Sequence, residues 1–274
     1  MDSTTEQTGS NAPNNTGLCA PAIFRKEDLI MDNKINDALT DERAASISVS
    51  PTTLTFTNSA SSKAVTVTCS DSSWTVGGSN NWCTITKSSN TRATVKVTAN
   101  SGEIRKVGVV CTSGSNVAQI MVTQAANINV KSMINIYKQE GLTCGATCAC
   151  MCVKQSPETV SAAGFDLSYA DWSGIAEEYG YTISAGPSSN PTFTTVYKNS
   201  LAKGLPAIVK INDGSDGEYE HWVVLVCFTG SDLNDSSSYI CADPWTGNYV
   251  QLDKATNYNC QNNKFYRYLV YKKN

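Results

Sequence analysis

The 274-residue sequence predicts a multidomain protein, an all-β sandwich followed by an α+β domain. Three observations carry that prediction. From residue 46 to 126, apolar and polar residues alternate in short runs separated by Ser, Asn and Gly, as in strands that bury one face. From residue 127 onward, helix-length segments come first and a series of strands follows. The length also exceeds what one hydrophobic core usually organises.

Residues 1–17 are rich in Ser, Thr, Asn and Gly and are expected to form a polar tail without fixed structure. Over residues 22–45, Ile23, Phe24, Ile30, Ile35 and Leu39 recur at roughly helical intervals among charges, which predicts a short helical arm. The arm would pack on its neighbour or serve as a pro-segment. Strands are expected at 47–49, 54–56, 64–69, 82–86, 93–99, 107–112 and 118–123. The period of two places Val65, Val67 and Cys69 on one face, and Val107, Val109 and Cys111 on another, so both cysteines should point inward, as a disulfide or as two buried thiols. Helices are expected at 143–154, 171–179 and 192–202, with Gly204 and Pro206 ending the last. Strands at 207–211, 221–228, 239–242, 249–252 and 265–271 then form an antiparallel sheet.

Composition narrows the function classes. A hydrophobic fraction of 41% suffices for packed cores, and a net charge of −3 without lysine runs gives no support for nucleic-acid or anionic-membrane partners. The apolar run 222–228 is too short to span a bilayer, and residues 1–17 hold no apolar stretch of signal-peptide type. Eleven cysteines are an odd number, which leaves at least one thiol unpaired.

His221 is the only histidine and opens an apolar strand. Upstream, Gln139-Glu140-Gly141-Leu142-Thr143-Cys144-Gly145 sets a thiol at the start of a helix, where free backbone N–H groups favour a thiolate. Downstream, Asp243 lies in Cys241-Ala242-Asp243-Pro244 on the next strand. Thiol, imidazole and acid, in that order, are the groups an acyl-transfer site needs. The thiolate attacks a carbonyl, the imidazole carries the proton to the leaving group, and the acid fixes the ring. Gln139 would supply a side-chain donor to the oxyanion. Taken singly, each residue reads as ordinary core; the combination points to catalysis. Cys144, Cys148 and Cys152 share a helix face, but Cys150 points away and no Cys-x-x-Cys knuckle occurs, so no metal or other cofactor is expected. Asp213, Asp216, Glu218 and Glu220 read as a solvated turn before the histidine strand.

Two family resemblances build on these residues. Ser73-Trp74-Thr75-Val76, Trp82-Cys83-Thr84-Ile85, Thr94 to Asn100, Gly108-Val109-Val110 and Val122-Thr123-Gln124 make residues 46–126 similar to the BACON domain, an immunoglobulin-like module common in Bacteroidetes proteins. That resemblance implies a glycan or surface-protein partner, with Trp74 and Trp82 either stacking on sugar or buried in the core. Cys144-Gly145-Ala146-Thr147-Cys148, His221-Trp222-Val223-Val224 and Asp243-Pro244-Trp245-Thr246-Gly247 make residues 127–274 resemble papain-like cysteine peptidases of the bacteriocin-leader-peptidase-like group. It implies Cys144 as nucleophile, His221 as base and acid, Asp243 as orienting group and Gln139 as oxyanion donor, acting on a peptide or protein substrate. Gln139 stands five residues before Cys144 where six is commoner, with Glu140 the nearest alternative. A papain-fold amidase, deamidase or toxin effector, or an inactive glycan-binding surface protein, are the rival expectations. A secreted, periplasmic or cell-surface bacterial protein is expected, with any signal peptide absent from this chain, and a cytosolic protein is the alternative.

Overall fold

The computed structural model describes residues 46–274, and the expected polar tail and helical arm lie outside the described residues. The chain is β-rich, and Ala45–Asn274 form one compact unit holding two hydrophobic cores.

The first core lies between two four-stranded sheets. One has the order β1 (Ile47–Ser50), β3 (Ser61–Cys69), β6 (Arg92–Val97), β5 (Cys83–Ser89), all antiparallel. The other runs β2 (Thr53–Phe56), β8 (Asn116–Gln124), β7 (Arg105–Ser113), β4 (Thr75–Gly77), with β2 parallel to β8. Alternation fills the space between them: Val65, Val67, Ile85 and Val95 from one sheet meet Leu54, Val109, Ile120 and Val122 from the other. Trp74 is 3% exposed and its Nε1 donates to Asn90 O at 2.7 Å, so this ring is core and no sugar can stack on it. Trp82 is half-buried beneath the Arg105 guanidinium, 4.6 Å from the ring centre. Both cysteines face the first core, as the alternation predicts, and only the full burial of Cys69 is corrected. Cys111 is buried as expected, but Cys69 is half-exposed at the strand end and donates to Asp71 Oδ1 at 3.0 Å, and both are free thiols.

The second core is a seven-stranded sheet covered by helices. Its order is β10 (Tyr181–Ser189), β15 (Arg267–Lys273), β11 (Ala207–Asn212), β12 (His221–Phe228), β13 (Tyr239–Asp243), β14 (Asn248–Gln251), with β9 (Ile128–Asn129) also paired to β12. Helices α1 (Cys144–Val153), α2 (Pro157–Ala162), α3 (Trp172–Glu178) and α4 (Phe193–Asn199) precede or interrupt the strands. Helix α1 is buried at every position except Gly145, which explains a sequence that is apolar apart from Thr147. The expected helix 192–202 stops at Asn199, because the buried Ser200 leaves helical geometry and its hydroxyl donates to Val196 O at 2.6 Å; a 3-10 turn, Leu201–Lys203, follows.

The two cores meet directly. Ile104, in the loop leading to β7, packs on the second core, and Asn127 N and Ala126 N donate to Gly102 O and Gly230 O, both at 2.9 Å.

Candidate active site

The sheet register brings the base and the acid together. Val224 pairs with Ala242, so Asp243 shares a sheet face with His221, one diagonal step away. Beside His221, the β11–β12 ladder skips a residue between Lys210 and Asn212, a bulge that re-aims the strand end at the site. His221 Nε2 and Asp243 Oδ1 are 2.9 Å apart, with His221 2% exposed and Asp243 fully buried. Asp243 thus engages Nε2 and leaves Nδ1 for another partner, and the Cys144 thiol lines the same cavity as the ring.

Four donors converge on Asp243. Oδ1 accepts from His221 and from Trp245 N at 2.9 Å; Oδ2 accepts from Thr256 N at 3.0 Å and Thr256 Oγ1 at 2.8 Å. Burial opposes charge on Asp243, yet the hydrogen bonds from His221 and Thr256, with the His221 charge, hold it below the usual carboxylate value. On His221 burial also opposes charge, but hydrogen bonds to Asp243 and Cys144 and the charges they carry outweigh it and push the imidazolium up to about 9.

Cys144 opens α1. Thr143 precedes the helix, but its hydroxyl donates to Glu140 O at 2.8 Å instead of capping, so the first-turn N–H groups carry no side-chain cap. The Cys144 thiol faces Glu220 O at 3.7 Å. Gly145 lies close against an aromatic pair: a Cβ there would stand 3.1 Å from the Trp172 ring, which lies 5.0 Å from Trp222, so the ring would have to give by a few tenths of an ångström. The other cysteines differ. Burial drives Cys148 and Cys241 well above the usual thiol value, and pushes Cys150 up to about 12.

Cys144, Gly145, His221, Trp172 and Trp222 line a cavity of about 260 Å³, with Asp243 buried behind His221. Leu142, Tyr169, Tyr219 and Trp245 stand around it, 60, 64, 62 and 43% exposed, which is half of the large exposed apolar side chains among the described residues. Gln139 also lines the cavity. Its Nε2 donates to Gly141 O at 2.6 Å, leaving one amide N–H free, while Oε1 is buried without a partner. Its backbone N–H donates to Pro244 O at 2.7 Å and ties this segment to the Asp243 turn.

All four residues expected at the site therefore come together: Cys144, His221, Asp243 and Gln139. Thr256, Asn257 and Trp172 also belong to it and were not expected. Thr256 lies in a polar loop with no motif; only Trp222, next to His221, hinted at an aromatic floor. Among the described residues no group of His, Cys, Asp and Glu is arranged to hold a metal ion, and no helix is long and apolar enough to cross a membrane.

No family model matches the sequence, and no curated protein does. Among solved structures, an endo-fucoidan hydrolase of glycoside hydrolase family 107 is similar over 27% of this chain, at 10% identity and a TM-score of 0.23. The chain spans only 12% of that protein's length, and so slight a likeness bears on neither fold nor chemistry.

Proposed function

We propose that the chain is a cysteine peptidase whose second core has a papain-like fold and cleaves peptide or isopeptide bonds through an acyl-enzyme at Cys144. The observation that carries this reading is the position of the one histidine, held at 2.9 Å by a buried carboxylate and lining the same cavity as the Cys144 thiol at the start of α1. In this mechanism the Cys144 thiolate attacks the substrate carbonyl carbon, forming the C–S bond. The oxyanion meets the first-turn N–H groups of α1 and the free N–H of Gln139. As the C–N bond breaks, His221 gives its Nδ1 proton to the leaving amine, then takes a proton from the water that releases the acyl group. Asp243 keeps the ring aligned and charged. The exposed rings of Tyr169, Tyr219 and Trp245 would contact residues flanking the scissile bond.

The first core is proposed as a BACON-type accessory module that positions the peptidase through Ile104. Iodoacetamide at near-neutral pH is the direct test: Cys144 alone should be carboxamidomethylated rapidly, with loss of peptide hydrolysis, and Cys144→Ala should be folded and inactive. Uniform slow labelling of the thiols would sink the reading. Trapped acyl-enzyme transferred to water, rather than to an amine, separates a peptidase from a transferase.

A further inference from the structure

We propose that Thr256 is a positioning residue of this site, holding the Asp243 carboxylate in the plane in which it grips the His221 ring. This rests on the catalytic reading above. The loop that carries Thr256 follows the 3-10 turn Leu252–Lys254 and lies on neither strand of the His221–Asp243 pair.

A carboxylate held at one oxygen can turn about its Cβ–Cγ bond. Asp243 is held at both: His221 and Trp245 N occupy Oδ1, while Thr256 alone provides both donors to Oδ2, its N–H at 3.0 Å and its hydroxyl at 2.8 Å. Thr256 is itself fixed. Asn257 takes a left-handed φ of 52°, its carbonyl accepts from Asn212 Nδ2 at 3.1 Å, and its side chain donates to Tyr219 O at 3.4 Å. Asn259 N donates to Ile211 O at 3.0 Å, and Asn212 and Asn259 both donate to Asp216 Oδ2, at 3.1 and 2.8 Å. Asn212 is 1% exposed and anchors this network in the bulge beside His221. The loop carrying Thr256 is thus fastened to the turn that delivers the base. Thr256 ties the acid to the same frame.

The groups facing His221 are Asp243 from β13 and Cys144 from α1. Near Asp243, Cys148 and Cys241 remain neutral thiols through burial, and Glu220 is paired with Lys210.

Because the chain has one histidine, its imidazole NMR signals belong to His221 without assignment by mutation. The experiment titrates that ring in the full chain and measures hydrolysis of a peptide ester, for wild type, Thr256→Val and Thr256→Ser. In wild type the ring should titrate near 9. Thr256→Val keeps the shape and the backbone donor but loses the hydroxyl. It should lower that titration by about one pH unit and reduce kcat about tenfold with KM little changed, because a carboxylate partly freed at Oδ2 turns away from the ring and the imidazolium loses part of its partner. Thr256→Ser should restore both. Should Thr256→Val unfold, Thr256→Ala under the same titration decides. An unchanged titration and kcat in the Val or Ala variant, or a Ser variant as impaired as either, overturns the proposal. So does an upward shift, which would mean that Thr256 only draws charge from Asp243. A wild-type ring titrating near 6.5, with Cys144 no more reactive than the other thiols, removes the catalytic reading itself and this inference with it.

Discussion

Replacing Asp243 with Asn tests the acid's role with almost no change of shape. Each carboxylate oxygen accepts one backbone N–H, from Trp245 on Oδ1 and Thr256 on Oδ2, and neither donor can turn away. An amide has one oxygen, so whichever way Asn sits, one backbone N–H faces an NH2 group. Leaving that buried donor unmatched costs about 1–3 kcal/mol of stability. The orientation that keeps the oxygen toward His221 and Trp245 satisfies two donors there and lets the Thr256 hydroxyl rotate to accept. His221 then keeps its tautomer but loses its anionic partner. Cys144 also raises the ring, so the loss is at most a fall from about 9 to 6.5, about 3 kcal/mol at about 1.4 kcal/mol for each factor of ten. Asp243→Asn should therefore retain hydrolysis at roughly one-hundredth of the wild-type kcat/KM. Its rate of iodoacetamide inactivation should lose the alkaline limb set by the imidazolium. Rate–pH profiles and urea melts measure both effects. An Asn variant with the wild-type limb and stability would refute this account of the acid.

The wild-type protein should itself lose stability with rising pH. His221 has its folded-state value raised from 6.5 to about 9, so its contribution, on the order of 3 kcal/mol, is whole below pH 6.5 and disappears as pH rises through about 9. Asp243, held below 3.8, contributes above that value and loses its contribution as pH falls through its lowered value. Urea midpoints across pH 6–10 check this, and His221→Gln should flatten the alkaline decline. Gln139→Ala should reduce kcat by about 10²–10³ if the free amide N–H reaches the oxyanion, whereas unchanged kinetics would assign that role to the α1 N–H groups alone. Tyr169→Ser with Tyr219→Ser should raise KM for peptides with apolar flanking residues and leave kcat nearly intact, as steady-state kinetics on a peptide panel would show. A fragment beginning at Asn127 should fold and hydrolyse small peptides but melt earlier than the full chain, because Ile104 and Gly102 O are removed from its surface. Equal melting temperatures would mean that the junction between the cores contributes nothing.

The elements that could be read from the sequence are those whose residues are buried in a periodic way. Strand β12 is an unbroken apolar run because both faces are covered, and the sandwich strands alternate because one face is. Strand β10 escaped notice: it is an edge strand, mostly exposed, whose alternation runs only from Tyr181 to Ala185 and lapses in Gly186 to Ser189, and its pairing with β15 shifts register twice. Strand β4 is three residues long, and α2 is a six-residue helix defined mainly by its Ser156 cap, which accepts from Thr159 N. The site residues Cys144, His221 and Asp243 were legible because acyl-transfer chemistry restricts residue type and order. Thr256 was not, since a hydroxyl and a backbone N–H in a polar loop have no signature until the fold brings them to a carboxylate thirteen positions away.

The bulge beside His221 also determines where this chain can change length. From His221 to Leu225, before the register with β13 shifts, odd-numbered positions of β12 carry the imidazole's side of the sheet and even-numbered positions the opposite side. With Val224 held against Ala242, deleting Trp222 or Val223 would turn His221 to the opposite face and bring Glu220 to the position the ring now occupies, although Val224 to Phe228 would stay buried as they are. The site would vanish while the core remained filled. Upstream, the exposed turn around Gly217 has no such parity, so insertions there should leave His221 in place. Length variation in homologous chains should therefore be tolerated before the strand and excluded within it.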